Sequence, residues 1–259
     1  MNEDLFPEDW IQLYMLGVFT GSITTDRLSL DYHSKVGGEL EKGVIEGYKG
    51  AVTEFGVGTK EYETAIKLRK NIYAFSAAKQ YQQVRTMSKL INVSGNKSTF
   101  KEFRGLADHI FEDYNKNYLK TEYNTAIGQA QNAREWVNAV QKMETFPTLE
   151  YRTQRDSHVR DEHAILDGIV RTVNDPFWNN YMPKNGWNCR CFVVQHEGTK
   201  VTNLKERDLS DLNDEKKFPK VFRMNPGKDG LIFNPKYHPY FFVAKGDAGL
   251  RANNFNLPK

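Results

Sequence analysis

Four side chains in this sequence have the chemistry to grip a soft cation. Cys189 and Cys191 are the only cysteines and stand one residue apart, with His158 and His163 upstream of them. In an extended strand, residues two apart share a face, so both sulfurs would point one way and Arg190 the other. Tetrahedral zinc accepts Cys2His2 sets, and His196 is a further candidate ligand. A disulfide across a single residue would close a small, strained ring. The pair is therefore read as free thiols, core residues or ligands.

The spacing is unusual for zinc, because two or more residues normally separate the cysteines. Histidines five apart share a helical face poorly, which places at least one of them in a loop. A metal-free reading stands beside the metal one: buried cysteines pack as small hydrophobes, and histidine or aspartate beside a turn often satisfies backbone groups. The acids Asp156, Asp161, Glu162 and Asp167 surround the histidines. With a divalent ion, the Asp156/His158/His163/Cys189/Cys191 cluster would suit a nuclease or hydrolase that activates water. Two cysteines in the shell are more typical of closed structural sites. No Gly-x-Ser-x-Gly elbow and no phosphate-binding Gly-x-x-x-x-Gly-Lys loop occurs. An enzyme is not the expected reading.

The elements that must position these residues follow from periodicity. Up to about residue 146 the chain reads as helical. Glu8 to Gly17 and Asp26 to Tyr48 are shorter helices, the second weakened by Gly37-Gly38. From Thr59 to Val93, Leu68, Ile72, Phe75, Val84, Met87 and Ile91 form one stripe that Ser94-Gly95-Asn96 closes. Ser98 is the expected cap of a helix carrying Phe103, Ala107, Ile110 and Tyr114. Leu119, Tyr123, Ile127, Ala130, Arg134, Val137 and Val140 continue that helix or follow a bend near Asn115-Lys116-Asn117. Phe146-Pro147 is its stop. Beyond it, short strands are expected at Leu149 to Thr153, Ile169 to Val173 and Arg190 to Gln195. The fold class is α+β: a long-helix N-terminal region, then a small mixed module with short strands and turns. The division by chain position is 1–97, 98–196 and a loop-rich extension, 197–259, in which 196–220 is a charged connector. The aromatics from Tyr237 to Phe242 are expected either to form an exposed contact surface or, as the favoured reading, to cover the Cys-x-Cys module as core.

Composition narrows the class. Aromatics at 13% are too many for a disordered chain, and a mean hydropathy of -0.67 gives a polar surface. The net charge of +3 balances 36 basic against 33 acidic residues, unlike a dedicated nucleic-acid binder. Apolar runs such as Phe241-Phe242-Val243-Ala244 are far shorter than the roughly 20 residues a spanning helix needs, so no membrane contact is expected. The start MNEDLFPEDW lacks the pattern of a secretory signal, so the chain is expected to begin in a cytoplasm. Lys67, Arg69, Lys70, Lys79, Arg85 and Lys89 give one helix a basic face, more often merely solvated than bound to DNA or to an acidic partner.

The run Arg152 to Gly168, with Asp156, His158, Arg160, His163, Leu166, Asp167 and Gly168, precedes Asp175-Pro176-Phe177-Trp178 and then Pro183-Lys184-Asn185-Gly186-Trp187-Asn188-Cys189-Arg190-Cys191. In order and spacing this resembles the signature of the phage Mu F-like minor head proteins, related to the head morphogenesis proteins of tailed phages. Lys120-Thr121-Glu122 resembles the Arg-Thr-Glu helix upstream of that signature, with lysine in place of arginine, so a role needing a planar guanidinium does not carry over. The resemblance covers roughly residues 100 to 196. It implies a structural protein in the capsid interior near the portal vertex, acting in head morphogenesis and in DNA packaging or delivery. The implied partners are the portal protein, a major capsid or scaffold protein and packaged double-stranded DNA. Within the module, Trp178 and Trp187 are expected to pack, Asp167-Gly168 to turn with a positive φ at the glycine, and Arg160 or Arg190 to anchor on carboxylates. Zinc is the one cofactor considered, held by His158, His163, Cys189 and Cys191.

Overall fold

The computed structural model describes residues 5–93 and 96–259; the expected helix stop at Ser94-Gly95 and the first four residues of the chain lie outside them. Helix α1 spans Glu8–Thr20 and ends where Gly21 turns left-handed at φ 80°. Helix α2 spans Leu30–Tyr48 and α3 Lys60–Ser88. Gly37 does not interrupt α2, because it gives room to the Tyr73 ring, which a Cβ would meet at 2.7 Å. A short hairpin, β1 (Asn92–Val93) against β2 (Asn96–Lys97), follows α3.

Helix α4 covers Phe100–Glu112. Its cap is Thr99 rather than the expected Ser98: the Thr99 side chain accepts from the Glu102 amide while Glu102 accepts from the Thr99 amide. Ser98 instead donates to the Leu90 carbonyl at 2.9 Å. Between α4 and α5 (Leu119–Gln141) the chain neither breaks nor continues as plain α-helix; Asp113–Tyr118 form a π-helical turn. The buried Asn115 occupies that turn, donating to the Phe111 carbonyl and accepting from the Tyr32 hydroxyl at 2.6 Å. The wider turn thus carries a polar side chain whose hydrogen bonds are met locally. Among the described residues no helix is long and apolar enough to cross a membrane.

The chain gathers into two compact units. One comprises Met1–Glu41, Ile72–Tyr123 and His238–Lys259, the other Lys42–Asn71 and Asn124–Tyr237. In the first, Phe6, Trp10, Tyr14, Tyr32 and Phe111 form a continuous set of ring contacts. At its centre Lys79 is fully buried and its ammonium meets the Glu122 carboxylate at 2.5 Å. Lys79 therefore does not belong to the solvated basic face: α3 turns it inward, where Glu122 and the Tyr114 and Tyr240 rings surround its charge. Burial pushes the Lys79 ammonium down and the Glu122 carboxyl up from their ordinary values, and the pairing opposes both shifts. The C-terminal aromatics pack in this unit and not over the Cys-x-Cys module: His238, Tyr240 and Phe241 lie against Phe75.

In the second unit, α2 and α5 meet without room for a side chain, since a Cβ on Gly47 would stand 2.1 Å from the Ile127 carbonyl oxygen. The small residues Ala126, Ala130 and Ala133 form the buried face of α5. Three strands follow: β3 (Thr148–Arg152), β4 (Val170–Thr172) and β5 (Phe192–His196), antiparallel in the order β4-β3-β5. Their register pairs Leu149 with both Arg171 and Gln195. One-turn helices α6 (Asp161–Ala164) and α7 (Trp178–Tyr181) lie between them. Leu149, Tyr151, Leu166, Ile169, Trp178 and Met182 fill the core. The charged connector is more than a linker, because Leu212 and Phe218 from it complete that core. Farther on, Asn71 accepts from the Ile232 and Phe233 amides at 2.8 Å each and donates to the Phe233 carbonyl.

The buried pair sets a stability test. Removing one partner strands a charge, so Lys79→Met should cost about 3–5 kcal/mol in denaturant unfolding. Lys79→Met combined with Glu122→Leu should recover most of that loss, because no uncompensated charge is left.

Candidate metal centre

The module places its chemistry where three local structures converge. Between β3 and β4, Asp156 starts a turn by accepting the His158 amide at 3.0 Å, and Arg160 then leads into α6. Four residues of helix suffice to aim His163 inward, where it is 3% exposed. Across from it the chain makes a tight turn in which the Cys189 amide donates to the Gly186 carbonyl and Asn188 adopts φ 55°. Asparagine tolerates that conformation better than most residues. Gly186 keeps this approach uncrowded: a Cβ there would lie 3.1 Å from Arg160 Nη1 and 3.5 Å from His163 Cε1.

The turn delivers Cys189 and Cys191 before β5 begins, so they are not strand residues as expected. The alternation survives nonetheless, with both cysteines buried and Arg190 exposed. His163 Nδ1 lies 3.5 Å from Cys189 Sγ and 3.8 Å from Cys191 Sγ. The potential ligand atoms of the three residues all fall within 4.8 Å of one another. The Cys189 thiol is lowered to about 4, first by its hydrogen bond with Cys191 and then, against the cost of burial, by His163 and the Cys191 amide. The Cys191 thiol is pushed up by the same bond and by burial.

The other candidate ligands stand apart from this cluster. His158 is 82% exposed and its nearest acid is Asp156, at 4.0 Å. His196, at the end of β5, contacts Glu150 Oε2 at 2.8 Å. Asp156 is held by Arg190 through two bonds of 2.7 and 2.8 Å. That ion pair and the His158 amide keep the Asp156 carboxyl below its usual range. Arg160 anchors on the Trp187 carbonyl at 2.8 Å and not on a carboxylate.

Asp167 and Gly168 close the other side. Gly168 has φ 77°, a conformation glycine adopts without steric cost. Asp167 accepts from the Thr153 amide and hydroxyl and from Arg155. Burial would raise its carboxyl, but these bonds together outweigh it and hold the group below its ordinary value. Leu166 and Trp178 are fully buried, and Trp178 donates to the Thr172 carbonyl at 3.0 Å. Trp187 is half-buried, edge-on to Phe222.

Several supporting residues escaped sequence reasoning. Buried Asn185 accepts from the Tyr151 hydroxyl at 3.1 Å and donates to the Met182 carbonyl at 3.0 Å. Gln129 and Asn132 of α5 donate to the carbonyls of Lys184 and Pro183. Their signal in the sequence was two amides, three residues apart, on an otherwise alanine-lined helix face. Of the basic candidates, Lys67 and Lys70 are exposed in the second unit, whereas half-buried Arg85 and exposed Lys89 belong to the first.

Comparison with known proteins adds a lineage to this geometry. A family model described as phage Mu protein F like protein matches residues 56–194. The putative capsid assembly protein F of Escherichia phage Mu is 36% identical over 86 residues, 33% of this chain and 20% of that protein. The Mu-like prophage FluMu F protein of Haemophilus influenzae is 28% identical over 92 residues, 33% of this chain and 22% of that protein. The chain thus spans about a fifth of the length of these curated relatives. No solved structure matches it.

The Asp167 bonds predict a pH dependence. A carboxyl lowered by folding stabilises the fold above its unfolded value, about 3.9, and loses that contribution as the pH falls through the folded value. Unfolding measured from pH 6 down to pH 2 should show a shallower acid-side loss in Asp167→Asn than in the parent. Parallel curves would contradict the assignment.

Proposed function

We propose, given that the chain belongs to the phage Mu protein F-like family, that it is a structural protein of a phage head, acting by binding and positioning in head morphogenesis. The observation that carries this reading is the family match across residues 56–194, which contains the whole run from Asp156 to Cys191. The local geometry favours the same role. The Asp156 carboxylate is committed to Arg190 through both oxygens. Asp167 is committed to Thr153 and Arg155. Carboxylates engaged in this way lock turns and are poorly disposed to take up a proton.

In this reading the protein resides in the virion, in the capsid interior beside the portal vertex, and serves DNA packaging or delivery. Its partners are the portal protein, with a major capsid or scaffold protein and packaged double-stranded DNA as further contacts. Lys67, Lys70, Arg85 and Lys89 are the basic residues offered to DNA phosphates or to an acidic portal surface. No turnover is assigned.

Co-expression with a Mu-like phage portal protein tests the proposal. Co-elution of the two as a defined complex, and detection of the chain in purified heads, are the expected results. Absence of any complex at micromolar concentrations, together with absence from the particle, would contradict it.

A further inference from the structure

We propose that His163, Cys189 and Cys191 bind one zinc-class divalent ion through three protein ligands, leaving the fourth position open to the adjoining cavity. The proposal stands on the geometry of these residues and does not depend on a role in the phage head. Zinc–sulfur bonds of about 2.3 Å and zinc–nitrogen bonds of about 2.0–2.1 Å, at tetrahedral angles, set nitrogen–sulfur edges of about 3.6 Å. The observed separations of His163 Nδ1 from the two sulfurs are 3.5 and 3.8 Å. Both nitrogen–sulfur edges thus stand near the lengths that a shared tetrahedral ion would set, and all three ligand atoms lie within 4.8 Å of one another.

Hydrogen bonding alone accounts for this arrangement less well. Hydrogen bonds can link Cys191 to Cys189 and Cys189 to Nδ1 in series, but such a series does not require Nδ1 to stand nearly equidistant from the two sulfurs, at 3.5 and 3.8 Å. A cation is what two sulfurs and one nitrogen can share. Two thiolates neutralise a divalent ion, so the buried assembly carries no net charge. That lowers the cost of placing it in the core. Thiolate and imidazole donors select zinc over magnesium or calcium, which prefer oxygen.

The fourth position follows from what lies outside the cluster. A cavity of about 430 Å³ opens beside the sulfurs, lined also by Gln154, His158, Val159 and Arg160. His158 borders this space without approaching the three ligands, so water completes the shell in the isolated chain. The ligands come from α6 and from the turn before β5, separated by 26 and 28 residues. Metal binding therefore cross-links two segments that the sheet alone holds at a distance in sequence.

The full chain, stripped of metal under reducing conditions and then given zinc alone or cobalt alone, provides the test. The expected results are one zinc per chain and a cobalt spectrum with a thiolate charge-transfer band and the intense visible bands of a tetrahedral site. Cys189→Ser and Cys191→Ser should each lose stoichiometric zinc, while His158→Ala keeps it. Should a serine variant fail to fold, the cobalt spectrum of the unaltered chain still decides. No zinc uptake by the folded chain, or a cobalt spectrum without thiolate bands, would overturn the proposal. Loss of zinc in folded His158→Ala would overturn the three-ligand shell.

Discussion

The module depends on bringing two sulfurs and one imidazole nitrogen to a single buried point from segments 26 and 28 residues apart. Each neighbouring feature can be read as a means to that end. A single helical turn must present His163 inward, which Asp156 prepares by capping the preceding turn and Arg190 secures by holding Asp156. The opposing turn passes close to Arg160, and Gly186 leaves the guanidinium room there, since a Cβ would stand 3.1 Å from Arg160 Nη1. Central strand β3 supplies Tyr151 beneath the site, and Asn185 fixes the Tyr151 hydroxyl. Residues from 197 onward add Phe218, whose ring stands edge-on to His163.

A second polar constraint organises the helical unit. Lys79 and Glu122 pay for burial with desolvation that their attraction only partly offsets. The Tyr114 and Tyr240 rings and the short contact to Glu122 make the pair tolerable. Glu122 belongs to the Lys120-Thr121-Glu122 run through which the sequence resembles its family. The structure gives that glutamate a concrete task, pairing with a lysine from α3, while Lys120 in the arginine position remains exposed.

Much of the helical frame was legible because periodic burial leaves a direct trace. Leu68, Ile72, Phe75, Val84 and Met87 are all buried, as their spacing implied. The three strands of the module were legible to within about two residues, since β-branched and aromatic residues cluster there between turn residues, whereas the β1–β2 hairpin was not, since Asn92 and Val93 read as the end of a helix. Lys79 was misread because charge alone suggests solvent, and only its partner 43 residues away explains its burial. The Thr99 cap was missed by one residue, as adjacent Ser98 and Thr99 offer equal hydroxyls. His196 and the Tyr237–Phe242 aromatics were offered to the thiol module on residue type alone; long-range packing sends them to Glu150 and Phe75. The meeting of His163 with the cysteines was legible as an option, and the separate position of His158 was not. Which of two histidines enters a core depends on a turn geometry that residue types do not encode.

The central claim is that the His163–Cys189–Cys191 contact holds the strands of the module together as one cooperative unit. Native-state hydrogen exchange on the full chain, compared with His163→Ala, addresses it most directly. The account predicts that the amides of β3 and β5 lose protection together and by the same factor. Loss confined to residues beside the substitution, with both strands as protected as before, would contradict it.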